Sequence, residues 1–379
     1  MALKTTHPVL GTRALNRATL DRQLLLRRSA LGAEEAVARL LGLQAQNTKP
    51  PYYALAARLD GFRPEDLSTL MESRAVARIV TLRSTVHTHT ARDAVALRGL
   101  AQTGAIDREL AMFVARGGLD GVDLDRVAAR SRALVEERPR TPKQLREELL
   151  KEWPDADPLA LTIAFRCRLP LVQVTPRGLW GRAGQVALTT TDAWFDRVPA
   201  EAADVDETVL RYLGAFGPAS VKDMQTWSGL TGLKEAFERL RPRLALFRSE
   251  RGTELFDLPD GSRPDEDTPA PPRFLPEFDN LLLSHADRSR VVSADHRSRT
   301  WKGNQAYRVF LLDGFVAGRW HLAETKERVT MTIEPFEPLP SGASGRRQRA
   351  ELLAEAERTL AVLGTEGVPY EIGFAAPEL

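Results

Sequence analysis

The clearest alternation of apolar and polar positions lies between residues 205 and 258. VDETVLRYLGAFG sets Val209, Leu210 and Leu213 at helical spacing and ends near Gly214 or Gly217. Pro218 and Ser220 then open a short helix, SVKDMQTW, followed by the turn SGLTG and a third helix, LKEAFERL. Arg241-Pro242 stops that helix, and LALFRSERGTELFDL reads as two strands joined at Arg251-Gly252. Helix, short helix, turn, helix, hairpin is the order of a winged helix-turn-helix, whose third helix normally enters the major groove.

The middle of the chain repeats the plan. Residues 124–138 are predicted helical. RTPKQLREELL starts with Thr141 as N-cap, Pro142 at the first helical position and Gln144 as capping-box partner. Residues 158–168 form another helix, and LPLVQVTPRGLWGRAG is predicted as a hairpin around Pro176-Arg177-Gly178. The first third fits more loosely. AEEAVARLL is a helix, and Pro50 and Pro51 begin the next, PPYYALAARL, with Asn47 or Thr48 as cap. PEDLSTLMES is one more helix, and ARIVTLRSTVHTHT is predicted as one strand.

Beyond residue 260 the pattern changes. RPDEDTPAPPRF is Pro-rich and acidic, and reads as a linker or flexible loop. YRVFLLDGFVAGRWHLAE is a hairpin turning at Asp313-Gly314, part of a small sheet or barrel. The tail from Arg346 is an amphipathic helix expected to pack back on the body. The expected fold class is therefore α+β, with three tandem winged helix-turn-helix modules and a C-terminal β-sheet or barrel subdomain. The expected divisions are residues 1–120, 121–200, 201–260 and 261–379.

Composition changes this picture little. Of 379 residues, 43% are hydrophobic and 27% charged, as in an ordinary globular protein. No apolar run reaches the ~18 residues of a membrane span. The first residues lack the basic-then-apolar pattern of a signal peptide, so a cytoplasmic location is expected. Cys167 is the only cysteine, which excludes an internal disulfide and any multi-cysteine zinc site. The net charge of +2 does not by itself indicate nucleic acid. The charge is clustered, however. Arg241 and Arg243 belong to one basic run, and Arg297, Arg299 and Lys302 to another. Either run alone reads as a solvated face.

Three stretches carry candidate chemistry. In LLGLQAQNTKPPYYAL, Gln44 and Gln46 alternate with Leu43 and Ala45 ahead of the double proline. A helix would separate residues two apart. An extended connection presents both amides on one side, with Leu43 and Ala45 directed inward. In TLRSTVHTHT, Thr81, Arg83, Thr85, His87 and His89 fall on one face of a strand, able to line a groove and contact phosphate or a flipped base. Two histidines at this spacing could be half of a metal site. The other histidines have no matching spacing, so no metal is expected. RFLPEFDNLLLSHADRSRVV holds Glu277 and Asp279, candidates for general acid or base work, although carboxylates two apart near a proline usually belong to a turn. No phosphate-binding Gly-rich loop, Gly-x-Ser-x-Gly elbow or zinc-protease helix is present.

Taken together, LQAQ, TLRSTVHTHT, FGPASVKDMQTWSGL, LPEFDNLLLSHADRSR and DGFVAGRW, in this order and spacing, resemble the AlkZ-type winged-helix DNA glycosylases. That resemblance implies a catalytic Gln-apolar-Gln motif, here Gln44-Ala45-Gln46. Relatives with aspartate in the second position exist, and glutamine at 46 suggests the branch that unhooks interstrand crosslinks. It further implies a C-shaped molecule around DNA and a hairpin that approaches the duplex, for which HRSRTWKGNQ is a candidate. The implied activity is hydrolysis of the N-glycosidic bond of cationic N7- or N3-alkylated purines in double-stranded DNA. No cofactor is implied, and the protein is expected to be a nucleoid-associated monomer. Arg83, His87, His89, Arg241, Arg243, Arg297, Arg299 and Lys302 are the candidate DNA contacts. Two other readings remain open on sequence. A non-catalytic winged-helix regulator would use the glutamines to read adenine edges. An interaction scaffold would show no steep salt dependence toward DNA.

Overall fold

A computed structural model describes residues 7–195, 203–364 and 367–375. Its helices and strands build two five-stranded sheets, two smaller ones and the helices packed on them. Among the described residues, no helix is long and apolar enough to cross a membrane.

The first large sheet runs Leu43–Gln44, Val86–Thr90, Val76–Val80, Leu171–Gln173, Leu188–Thr190, every neighbour antiparallel. Strands from the first third and from the middle of the chain thus share one sheet. ARIVTLRSTVHTHT is not one strand. It reverses through a 3-10 turn at Leu82–Ser84, where Arg83 and Ser84 have φ of 54° and 57°. A left-handed pair turns the chain back on itself, so Arg83 lies in the turn and on no strand face, whereas Thr81 directs its hydroxyl at both histidine rings. His87 and His89 do share a strand face, with ring centroids 5.5 Å apart. The hairpin expected around residues 176–178 also differs. Leu171–Gln173 pairs with Leu188–Thr190, and the chain between them folds over Tyr52, whose hydroxyl donates to the Gly178 carbonyl at 2.6 Å. A buried phenol needs that acceptor, and supplying it takes the segment out of the ladder.

Residues 205–257 follow the expected order. Helices Val205–Phe216, Val221–Ser228 and Lys234–Leu240 precede the antiparallel strands Ala245–Ser249 and Glu254–Asp257. Ser220 and Asp223 form a capping box, and Gly229 ends that helix in the left-handed region at φ 76°. Tyr212, Phe216, Trp227 and Phe237 fill the core between these elements. In the middle of the chain, Thr141 and Gln144 cap Pro142–Leu149 as the sequence predicts. Helices Leu124–Glu137 and Pro158–Arg168 flank it.

The second large sheet is open, not a closed barrel. Its order is Tyr370–Phe374, Val329–Pro335, Phe315–Glu324, Val309–Leu312, Arg273–Leu275. Asp313 and Gly314, at φ 46° and 82°, make the predicted tight turn. Helix Gly342–Leu363 packs back as expected. Its Leu352, Ala356 and Leu360 share a core with Trp320, Met331, Ile333 and the tyrosines of helix Pro50–Arg58. RPDEDTPAPPRF is no flexible linker. Arg13 Nε donates to the Glu266 carbonyl at 2.8 Å and Arg17 Nε to that of Thr268 at 2.7 Å. These charge-assisted bonds hold it against the first helix, Thr12–Arg22.

Candidate active site

The Gln-Ala-Gln motif lies at the edge of the first sheet. Helix Ala33–Arg39 ends just before Gly42, which takes φ 90° and turns the chain into strand Leu43–Gln44. A side chain at 42 would collide with the His89 ring, with a Cβ only 2.2 Å from Nδ1. Leu43 and Ala45 are buried, as alternation requires. Gln44 is 6% exposed, whereas Gln46 is open to solvent. Gln44 Nε2 donates to Gln46 Oε1 over a long 3.4 Å, so the two amides face each other.

Everything holding this strand comes from distant sequence. The Ala45 amide donates to the Val86 carbonyl at 2.7 Å, and the Ala45 carbonyl accepts from Arg78 Nη2 at 2.6 Å. Asn280 Nδ2 donates to the Gly42 carbonyl at 2.9 Å. Asn47 does not cap the following helix, whose N-cap is Lys49 with no side-chain bond. Instead Asn47 Nδ2 donates to Glu277 Oε1 at 3.0 Å, and Arg308 Nε binds the other Glu277 oxygen at 2.8 Å. Asp279 is taken by Arg58, with two bonds of 2.8 and 2.7 Å between side chains sealed from solvent. Both carboxylates are thereby engaged in contacts that brace the motif.

Arg83, at the tip of the Leu82–Ser84 turn, reaches the motif from the side. Its Nη2 donates to Gln44 Oε1 at 2.7 Å, and its Nη1 binds the carbonyl of Trp227 at the end of helix Val221–Ser228. Burial lowers the Arg83 pKa to about 10, which leaves it a cation at neutral pH. His87, opposite Gln44 in the ladder, is buried. Burial first, then the Arg83 charge, puts its pKa well below the ordinary value. Its Nδ1 faces the Thr85 carbonyl at 3.0 Å, so Nδ1 carries the proton and Nε2 accepts from Arg83 at 3.3 Å. His89 is pushed down to about 4 by burial, and its Nε2 meets Thr81 Oγ1 at 2.9 Å. Two neutral, buried rings behind Gln44 are supports for the site and are not placed to meet phosphate directly. No group of three or more metal-ligating side chains occurs among the described residues.

The remaining candidates lie apart from the motif. Arg241 is engaged on both sides, by Glu238 at 2.7 Å and Glu254 at 2.9 Å, while Arg243 is exposed. Arg299 stacks on the Phe336 ring at 4.5 Å and donates to the Phe336 carbonyl. Arg297 and Lys302 are exposed. Lys302 sits on a two-stranded hairpin, Trp301–Lys302 with Gln305–Ala306, turning at Gly303. HRSRTWKGNQ thus does contain a hairpin, braced where Trp301 meets the Phe278 ring edge at 5.7 Å. Sequence reasoning missed Arg78. Its signal was an arginine inside the otherwise apolar run VARIV.

A family model described as DNA glycosylase AlkZ-like matches residues 37–362. The chain is 26% identical over 357 residues to the interstrand DNA cross-link repair glycosylase of Streptomyces sahachiroi, spanning 85% of this chain and 90% of that protein. The solved structure of Streptomyces sahachiroi DNA glycosylase AlkZ aligns with a TM-score of 0.76 at 19% identity. It covers 96% of this chain and 100% of its own, a likeness of fold. Since the family match spans most of its length and includes the Gln-Ala-Gln strand and every segment that braces it, the chain belongs to the AlkZ-like DNA glycosylases, enzymes of the hydrolase class.

Proposed function

We propose that this glycosylase hydrolyses the N-glycosidic bond of cationic N7- and N3-alkylated purines in duplex DNA, with Gln44 and Gln46 positioning the attacking water. The observation that carries the reading is the facing pair of amides at a sheet edge, one anchored and one open to solvent. An alkylated purine is already positively charged, so its bond to the sugar is weak and the departing base needs no strong acid. What remains is to hold a water at C1′ and steady the oxocarbenium-like sugar. Neutral amides do both by hydrogen bonding and need no matched pKa. The nearby carboxylates fit this view, since Glu277 and Asp279 are committed to Asn47, Arg308 and Arg58. Lys49, three residues past Gln46, is tied to Glu324 at 2.7 Å, which favours simple hydrolysis over a Schiff base.

The proposal extends to unhooking interstrand crosslinks, as the name of the Streptomyces sahachiroi relative states for that protein. A crosslinked purine is tethered to the opposite strand and cannot swing fully out of the stack, whereas most base-excising enzymes rely on that extrusion. Amides on an exposed strand edge can approach a sugar whose base stays near the duplex. We further propose that the enzyme acts as a nucleoid-associated monomer without a cofactor.

The test is release of N7-methylguanine from alkylated duplex DNA by wild type, Gln44→Ala, Gln46→Ala and the double variant. Loss of release with DNA binding retained supports the reading. Release unchanged in the double variant refutes it.

A further inference from the structure

Two glutamines on one strand edge are chemically identical, yet the surroundings treat them differently. Gln44 Oε1 is occupied by the Arg83 guanidinium at 2.7 Å. An arginine can only donate, so the oxygen of Gln44 must face it and the amide nitrogen must face the other way, toward Gln46 Oε1. Gln46 is exposed, and that oxygen is the acceptor it offers to the site.

The guanidinium is itself held at several points. Nη1 is bound by the Trp227 carbonyl at the C-terminal end of helix Val221–Ser228, where a cation complements the helix dipole. Nη2 also reaches His87 Nε2 at 3.3 Å, and the proton on Nδ1 keeps Nε2 an acceptor. The backbone beneath takes φ 54° at Arg83 and 57° at Ser84. A non-glycine residue in the left-handed region is strained and persists where surroundings enforce it, often at functional sites. Gly229 permits the approach, because a Cβ there would lie 3.2 Å from the Arg83 backbone.

We propose that Arg83 is a positioning residue for base excision: by holding Gln44 Oε1 it turns the Gln44 amide N–H outward, making Gln44 the donor and Gln46 the acceptor of the catalytic pair. The assignment rests on the catalytic reading of the two glutamines. The donor steadies the oxygen of the water, and the acceptor holds one of its hydrogens by a hydrogen bond. As the water oxygen bonds C1′, the C1′–N bond breaks, the purine leaves neutral with the bonding pair, and the surplus water proton passes to solvent. Binding to Arg83 also polarises the Gln44 amide, strengthening its N–H as a donor. No bond to protein forms or breaks.

The experiment is single-turnover release of N7-methylguanine from alkylated duplex, with DNA affinity measured alongside. Arg83→Gln is expected to lower the rate constant about 30-fold with affinity within about twofold, and Arg83→Lys, which keeps a donor, to recover part of that loss. In a Gln44→Ala background, Arg83→Gln should add less than about twofold, since the arginine acts through that amide. Gln44→Glu removes the donor and should cost at least about tenfold more than Gln46→Glu, which keeps an acceptor. Gln44→Glu places a carboxylate against Arg83 and so keeps the fold intact. Losses that multiply in the Arg83→Gln, Gln44→Ala double variant, or equal losses in the two glutamate variants, overturn the assignment. Wild-type release by Gln44→Ala would overturn the catalytic reading and this assignment with it. Loss in Gln44→Ala beside wild-type release in Arg83→Gln overturns this assignment alone.

Discussion

Arg78 donates to the Ala45 carbonyl at 2.6 Å from beneath the motif strand, and it does so as a buried cation with no ion-pair partner among the described residues. Among the described residues its Nε and Nη1 have no hydrogen-bond partner, and burial, then the charge of Arg177, lowers its pKa to about 10. An uncompensated buried charge costs stability. The Ala45 carbonyl lies past the end of strand Leu43–Gln44, so this guanidinium is what satisfies it. Arg78→Met keeps the volume and removes the charge. Stability should change by less than about 1 kcal/mol, because the desolvation relieved offsets the bond lost. Base release should nevertheless fall about tenfold as Gln46 loses its fixed backbone. Denaturant midpoints and single-turnover rates check this together. A large fall in both would mean Arg78 serves the fold alone.

The motif is braced by a second, better-matched pair. Arg58 and Asp279 are both fully buried and bind through two hydrogen bonds, and Asp279 also accepts from the Leu281 amide at 2.9 Å. Removing one member strands the other. Asp279→Ala is expected to cost about 3–5 kcal/mol in urea unfolding, and replacing both residues with apolar ones of similar size should restore much of that. A cost below about 1 kcal/mol would show that water reaches Arg58.

Local chemistry was legible in the sequence, and long-range pairing was not. The Thr141 cap, the Ser220 cap with Asp223, and the Asp313-Gly314 turn depend on residues within four positions of each other. The alternation of Leu43, Gln44, Ala45 and Gln46 turns Leu43 and Ala45 inward and sets the two amides together, because a strand edge needs only its own period, but it did not show that Gln44 is buried and only Gln46 open to solvent. The reversal at Arg83 was hidden, since neither Arg83 nor Ser84 is the glycine or asparagine that marks a left-handed turn. The guanidinium at that turn is met from 144 residues away, by the Trp227 carbonyl. Glu277 and Asp279 read as possible acids for the same reason, their arginine partners being invisible until the chain folds.

Acid should loosen the site through its histidines. His89 has a folded pKa near 4 against an ordinary 6.5, lowered by burial and facing Asp93, which raises it, and Arg211, which lowers it. The unfolded chain therefore binds the extra proton first. Stability from this group is complete above about pH 6.5 and is lost as pH falls toward 4, amounting to ~2 kcal/mol at pH 5. His87 shifts in the same direction and adds to the loss. Unfolding free energies at pH 7 and pH 5 should differ accordingly, and His89→Gln should shrink the difference. An unchanged difference would place the acid sensitivity elsewhere, with His285, held near 3, the next group to replace.

The exposed hairpin offers the clearest electrostatic test. Trp301 is braced by Phe278 at 5.7 Å, one residue from the Glu277 that holds Asn47. Lys302 and, just before the hairpin, Arg297 stand in solvent. If both reach phosphate, each releases counterions, and the slope of log affinity against log salt changes by about 0.9 per contact. The Arg297→Ala, Lys302→Ala double variant should therefore show a slope shallower by about 2 and weaker binding to damaged and undamaged duplex alike. Arg241→Ala, whose guanidinium is already matched by Glu238 and Glu254, should leave the slope unchanged. A shallower slope for Arg241→Ala with none for the hairpin pair would move the DNA path to the wing formed by Ala245–Ser249 and Glu254–Asp257.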